Sequence, residues 1–282
     1  MDEHIIEAVG KTRVIVRDGR VISAENPEID ECPLARRFSY PVHTITPEAV
    51  CKNIQDRIDS FGMCTAGRNL YSSDDFVGFG ASELMSSALR AGYIDASVIV
   101  CDGAGTVVIT SPDMVQGIGG RMSGLVFTSP IPEVIKKIRE GGGLVPDPDH
   151  ATLDPVSGVL TAQKRGYAKL AVTVSSPADA KLVRETQPDA IIIAVHTTGQ
   201  RVCDAENICR NADIVTACAS EAIWEICGTK AIMQAGSTVP VFALTKQGKH
   251  LILLRMEEID HPIHVYHGQL PVKGEKIPRP LV

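Results

Sequence analysis

The second half of the chain constrains the fold most: short, continuously apolar runs recur there, each followed by a stretch that suits a helix. Lys169 to Val174, Ala190 to Val195 and Asp213 to Ala217 are strand-sized and apolar almost throughout. Between them, Ser176-Pro177 opens a helix to about Thr186, and Asp204 to Asn211 forms a second. Ser220 to Cys227 is a third, closed by Gly228. Pro240 to Leu244 is then a strand, Gln247 to Glu258 a helix and Ile263 to Tyr266 a last strand. Strands that are apolar on both faces, alternating with helices, belong to an α/β fold: a wound, mostly parallel sheet with helices on both faces. The units share no sequence repeat, so the fold is not a solenoid.

The first half is less regular. Lys11 to Ser23 carries two β-branched runs around Asp18-Gly19, the signal of an N-terminal β-hairpin. A proline-containing stretch, Asn26 to Tyr40, holds Cys32. Thr46-Pro47-Glu48 opens a helix to about Ser60 that Gly62 ends. After a short apolar run at Phe76 to Phe79, Ala81 to Arg90 is helical and stops at Gly92, and Ala96 to Cys101 is a buried-type strand. Gly103 and Gly105 break that strand before a second run, Thr106 to Thr110, and Pro130 to Glu140 is an amphipathic helix closed by Gly141 to Gly143. The expected organisation is an N-terminal part, 1–128, continuous with a regular α/β part, 129–267. A tail, 268–282, with Pro271, Pro278 and Pro280, is expected to run extended over the surface or across a partner subunit.

Composition narrows the function. The 282 residues carry a net charge of −6, and a pI near 5.8 argues against broad nucleic-acid or anionic-membrane binding. The opening MDEHIIEAVG is acidic and lacks the apolar core of a signal peptide, and no apolar run approaches a membrane span, which together point to the cytoplasm. Eight cysteines are too sparse for a disulfide scaffold and read as thiols or metal ligands.

In wound α/β sheets, ligands bind beyond the carboxyl ends of the strands. Here those ends carry Cys101-Asp102-Gly103, His196-Thr197-Thr198-Gly199 and Cys218. Cys101, Asp102, His196 and Cys218 are therefore the candidate catalytic groups. Cys218 precedes a helix N-terminus, which is expected to favour its thiolate; Cys227, at the far end of that helix, reads as packing. No C-x-x-C occurs, but a metal site assembled from distant loops would use Cys32, Cys64, Cys101 and Cys218. His261, His264 and His267 fall on a presumptive edge strand, where His264 points away from the other two. Gly78-Phe79-Gly80 is a weak glycine motif, because Glu83 stands where a phosphate-binding fingerprint needs glycine. Asp102 to Gly105 could offer Gly103 and Gly105 as a backbone nest. The run Gly117 to Gly124 is expected to be a loop. Gly117, Gly119 and Gly120 would let the backbone approach a ligand, beside Ser123, Thr197 and Thr198, and Arg121 would clamp a carboxylate or phosphate or else sit in a structural ion pair. No Walker loop, G-x-S-x-G elbow or H-E-x-x-H motif is present.

The runs FGMCT (Phe61 to Thr65), DDFVGFGASE (Asp74 to Glu83), CDGAGTV (Cys101 to Val107), VQGIGGRMSGLV (Val115 to Val126), VHTTG (Val195 to Gly199) and ADIVTACAS (Ala212 to Ser220) together resemble the methanogenesis marker protein 8 family. The resemblance implies a methane-metabolising archaeon and a strictly reducing cytoplasm, in which thiols stay reduced and iron–sulfur clusters persist. Three readings follow. One is an accessory or maturation protein of methanogenesis, with an iron–sulfur cluster or other metal on the four thiols, acting on a methanogenesis enzyme or maturation complex. The second is a transferase-type enzyme that holds a small anionic ligand or coenzyme with Arg121, using a thiol or His196 as acid–base. The third is a non-catalytic scaffold subunit. A homodimer is expected in each case.

Overall fold

The computed structural model describes residues 2–282 and contains two sheets. The smaller is antiparallel, in the order β3–β2–β1–β6, with β1 at Glu3–Ala8, β2 at Thr12–Arg17, β3 at Arg20–Ala24 and β6 at Gly124–Thr128. The larger has the order β10–β11–β9–β8–β7–β4–β5. Its strands are β4 (Ala96–Cys101), β5 (Gly105–Ile109), β7 (Leu170–Val174), β8 (Ile191–Ala194), β9 (Ile214–Thr216), β10 (Met233–Ala235) and β11 (Val241–Ala243). Its four central strands, β4, β7, β8 and β9, are parallel; β5 and the β11–β10 pair flank them antiparallel.

Nine α-helices occur among the described residues: α1 (Pro47–Phe61), α2 (Ala81–Arg90), α3 (Pro112–Gly119), α4 (Pro132–Glu140), α5 (Pro155–Arg165), α6 (Pro177–Thr186), α7 (Val202–Asn211), α8 (Glu221–Lys230) and α9 (Lys246–Glu257). Their starts are chemically specified. Thr46, Ser111, Asp154, Ser176, Ser220 and Thr245 each accept a hydrogen bond from a first-turn N–H. Proline stands in the first turn of α1, α3, α5 and α6, where no donor is lost. One face of the large sheet packs against α2, α3, α4 and α9 through residues such as Leu84, Met114, Ile138 and Leu251. The other face meets α5 to α8 through Val159, Val183, Ile208 and Trp224. A third cluster joins the small sheet to α1 through Ile6, Val14, Val50 and Ile54, and it reaches Ala219 just beyond β9.

Several expectations need correction. The run from Gly117 to Gly124 is not a loop. Ser111 and Pro112 start α3 ahead of it, so Gly117 and Gly119 are helical and Gly124 opens β6. Gly228 does not close α8 but lies inside it, against the Phe242 ring, and leaves room for that aromatic contact. The histidine stretch Ile263 to Tyr266 forms no strand and is exposed, so its imidazoles are solvated without an edge strand. The tail returns to its own chain: the Arg279 carbonyl accepts from the Asp30 and Glu31 amides, and Val282 exchanges backbone hydrogen bonds with Ala219 and Glu221. No helix among the described residues is long and apolar enough to cross a membrane.

Candidate functional site

A cleft of about 450 Å³ lies between the small sheet and the carboxyl ends of the large sheet's central strands. It is lined by Val195, His196, Thr216 and Cys218 at and beyond those strand ends, by Glu7 and Leu125 of the small sheet, and by Arg57, Phe61 and Phe76. This is where an α/β sheet houses a ligand.

Arg121 is the outstanding group. It follows α3 directly, and Gly120 lets the Phe76 ring come so close that a Cβ there would lie 2.4 Å from it. The guanidinium is sandwiched between two aromatic rings, 4.1 Å from the Phe61 centroid and 5.5 Å from that of Phe76. Its Nη2 donates a long hydrogen bond, 3.4 Å, to Ser72 Oγ. Nε and Nη1 are buried with no partner in the protein. No carboxylate pairs with Arg121, so the structural ion pair that the sequence allowed is absent among the described residues. Burial and the neighbouring Arg68 lower the pKa of Arg121, and Asp74 opposes them only in part.

Arg57 stands beside it, 8% exposed. It donates to Ser123 Oγ at 3.0 Å and to the Arg121 carbonyl at 3.4 Å, and stacks 4.7 Å over the Phe38 ring. Burial pulls this guanidinium down to about 10, with only Asp56 opposing. Among the described residues neither of these two neighbouring cations is ion-paired to a carboxylate; Asp74 and Asp56 act on them only from a distance. An unmatched buried cation is costly, and a bound anion would offset that cost.

His196, two residues beyond β8, is in a left-handed conformation, φ 55°, a strained region for a non-glycine residue. Its ring packs on the backbone of Gly124, where a Cβ would lie 3.4 Å from His196 Cγ. Burial pushes the imidazole down to about 4, so it is neutral at pH 7. Cys218 is half-buried; its amide donates to Thr197 Oγ1 at 3.3 Å, and Trp224 Nε1 donates to its carbonyl at 3.2 Å. The expected helix-dipole activation is not what governs this thiol. The helix starts three residues later under its own Ser220 cap, and burial pushes Cys218 up.

The sequence-derived candidates divide between the cleft and the core. Gly119, Gly120, Arg121, Ser123, His196, Thr198, Cys218 and Cys32 line the cleft. Cys101, Asp102 and Cys64 lie behind it, fully enclosed. Asp102 is ion-paired to Arg68 at 3.0 Å, with both side chains inaccessible, and also accepts from the Cys64 amide. Burial and the Asp102 charge push both thiols up. The Asp102 to Gly105 turn is no open nest, since the Gly103 amide donates to Thr128 Oγ1 at 2.7 Å and Gly105 is pressed against Ala151. Gly117 abuts the Leu70 carbonyl inside α3, and Thr197 is buried with its hydroxyl on the Thr216 carbonyl. The four thiols offered as one metal site are split. Cys64 and Cys101 flank Asp102 in the core, whereas Cys32 and Cys218 meet in the cleft. Among the described residues no group of three or more His, Cys, Asp or Glu side chains is placed to hold a metal ion.

Glu83 explains why Gly78-Phe79-Gly80 is no phosphate cradle. Its carboxylate turns back over the start of α2 and accepts from the Phe76 and Val77 amides at 3.0 and 3.2 Å, so the helix N-terminus already has its anion. Glu7, Arg57, Phe61 and Phe76 are cleft residues that sequence reasoning did not single out. Phe61 and Phe76 stand in distinctive runs that could have flagged them, whereas nothing about Glu7 or Arg57 marks them in sequence.

Residues 4–257 match the family described as "uncharacterized protein conserved in archaea (DUF2099)". The chain is also 41% identical over 285 residues, covering all of both chains, to "uncharacterized protein MJ0054" of Methanocaldococcus jannaschii. The chain belongs to this conserved archaeal family.

Proposed function

We propose that this member of the archaeal family binds a small organic anion in the cleft between its two sheets, with Arg121 as the anchoring group. One observation carries the reading: a half-buried guanidinium on the cleft lining, fixed between Phe61 and Phe76, has two enclosed nitrogens without a partner in the protein. A carboxylate or phosphate satisfies such a fork in a way that water at a surface arginine does not need to. Arg57 adds a second cation beside it that has no ion-pair partner among the described residues. The cleft volume, about 450 Å³, suits a metabolite or a coenzyme fragment.

The resemblance to methanogenesis marker protein 8 supports a cytoplasmic accessory or coenzyme-handling role in archaeal methane metabolism. A cluster on the four thiols does not form part of this reading, because those thiols lie in two separate pairs.

The test is thermal unfolding with pyruvate, levulinate, phenylpyruvate or inorganic phosphate added. An anion held at a hundred times its Kd stabilises the protein by about 2.7 kcal/mol. At least one of these anions is expected to raise the melting temperature of the wild type and to leave that of Arg121→Ala unchanged. Equal shifts in both proteins, or none in the wild type with any of the four, would contradict the reading.

A further inference from the structure

Where the small sheet meets the cleft, Glu7 and Gly124 are directly paired across β1 and β6. A Cβ on Gly124 would lie 3.0 Å from Glu7 Cβ and 3.4 Å from His196 Cγ, so the two side chains flank the slot that the glycine leaves. Both face the cleft. Among the described residues, neither the Glu7 carboxylate nor the His196 ring is held by a hydrogen bond. The slot is fixed from the arginine side as well, since Ser123, bonded to Arg57, immediately precedes Gly124.

We propose that Glu7 and His196 form a proton-transfer pair acting on the anion that Arg121 anchors, and that this anion bears a carbonyl group. The proposal rests on the anion-binding reading above and extends it to a reaction class. The Glu7 carboxylate removes a proton from the carbon beside the carbonyl, and the electron pair of that C–H bond moves onto the carbonyl oxygen to form an enolate. The neutral His196 imidazole donates a hydrogen bond to the developing oxyanion, and Glu7 returns the proton. The step is balanced within the ligand and the two side chains.

The surroundings favour these roles. Burial raises the Glu7 pKa above the usual carboxylate value, which makes it a stronger base; Lys11 and Arg13 oppose that rise, and Glu28 adds to it. Cys218, at the end of β9, is the other titratable group facing Glu7. Burial alone acts on His196 and keeps its proton a donor, not a second positive charge.

Exchange in D2O tests the pair. Wild type, Glu7→Gln, His196→Asn and Arg121→Ala are each incubated with pyruvate, levulinate or phenylpyruvate, and the loss of the α-proton resonance is followed by NMR. Wild type is expected to exchange at least one probe faster than buffer, and Glu7→Gln to lose about a hundredfold of that rate while keeping its melting shift. His196→Asn should lower the rate and likewise keep the shift, and Arg121→Ala should lose both. The wild-type rate should rise with pH as Glu7 ionises, a dependence absent from Glu7→Gln. If a probe gives an Arg121-dependent melting shift but exchanges no faster than buffer, the pair is overturned and anion binding stands. If no probe gives such a shift, the anion reading falls and the pair falls with it.

Discussion

Two neighbouring arginines, Arg68 buried and Arg121 half-buried, have opposite standing, and the difference is what separates scaffold from site. Arg68 is inaccessible and paired at 3.0 Å to an equally inaccessible Asp102, so removing one partner strands the other charge. Arg68→Met should cost about 3–5 kcal/mol in urea unfolding. Arg121 has two buried nitrogens with no partner, a condition costing about 1–3 kcal/mol. The aromatic sandwich offsets that by about 0.5–2 kcal/mol. Arg121→Met keeps the aliphatic packing and should unfold within about 1 kcal/mol of wild type, while losing the anion response. A loss comparable to that of Arg68→Met would make Arg121 structural. His196 contributes a pH dependence whose sign follows from its shift. Its folded-state pKa, about 4, lies below the ordinary value of 6.5, so the unfolded chain binds the proton more readily. Its contribution to stability is complete above pH 6.5 and is lost as pH falls toward 4. Urea midpoints for His196→Asn, measured from pH 7 to pH 4, should therefore fall less steeply than those of wild type.

At the scale of elements, α3 shows how sequence signals compete. The run QGIGGRMSG reads as a loop because four glycines weaken any helix, and summed propensity argues the same way. The structure resolves this through the Ser111 cap and Pro112 upstream and through packing downstream: Gly117 lies where a Cβ would be 2.3 Å from the Leu70 carbonyl oxygen. Gly→Ala inside a helix ordinarily gains about 1 kcal/mol. At Gly117 the added methyl meets backbone that no side-chain rotation can relieve, so Gly117→Ala should instead lose about 2 kcal/mol or more. Denaturant unfolding reads the sign directly. The same competition explains which elements were legible. The central parallel strands are buried on both faces and announce themselves as apolar runs, and α1, α6 and α9 carry caps that the sequence displays. The strand β1, EHIIEA, hides because its half-buried positions hold Glu3 and Glu7 and a buried His4 interrupts the apolar face. Its pairing with β6 spans more than a hundred residues, beyond any local pattern. Glu7 was invisible for that reason, and Arg57 because helix α1 reads as complete without it. Cys101 and Asp102 are enclosed although they stand at a strand end, because a strand end does not reveal whether the following turn opens to solvent or is covered, as here, by Ile131 and Ala151.

At the scale of the whole molecule, the cleft exists because two sheets meet, and the tail straps that junction. Arg279 holds the segment carrying Cys32 through the Asp30 and Glu31 amides, Pro278 lines the cleft, and Val282 bonds beside Cys218 at Ala219 and Glu221. Deleting residues 277–282 should speed alkylation of Cys32 and Cys218 by iodoacetamide, followed by mass spectrometry. Cys203, already exposed, should react at an unchanged rate and serves as the internal control. Arg121, Glu7 and His196 all line the cleft that the strap borders, and Glu7 comes from the small sheet while His196 follows a strand of the large one, so a ligand that reaches both bridges the two sheets. A crystal structure of the protein grown with the most stabilising of the tested anions examines that claim most directly. The anion is expected between the two sheets, hydrogen-bonded to the Arg121 guanidinium beside Phe61 and Phe76. An Arg121 turned away to pair with a carboxylate of the protein, with the anion elsewhere or absent from the cleft, would contradict it.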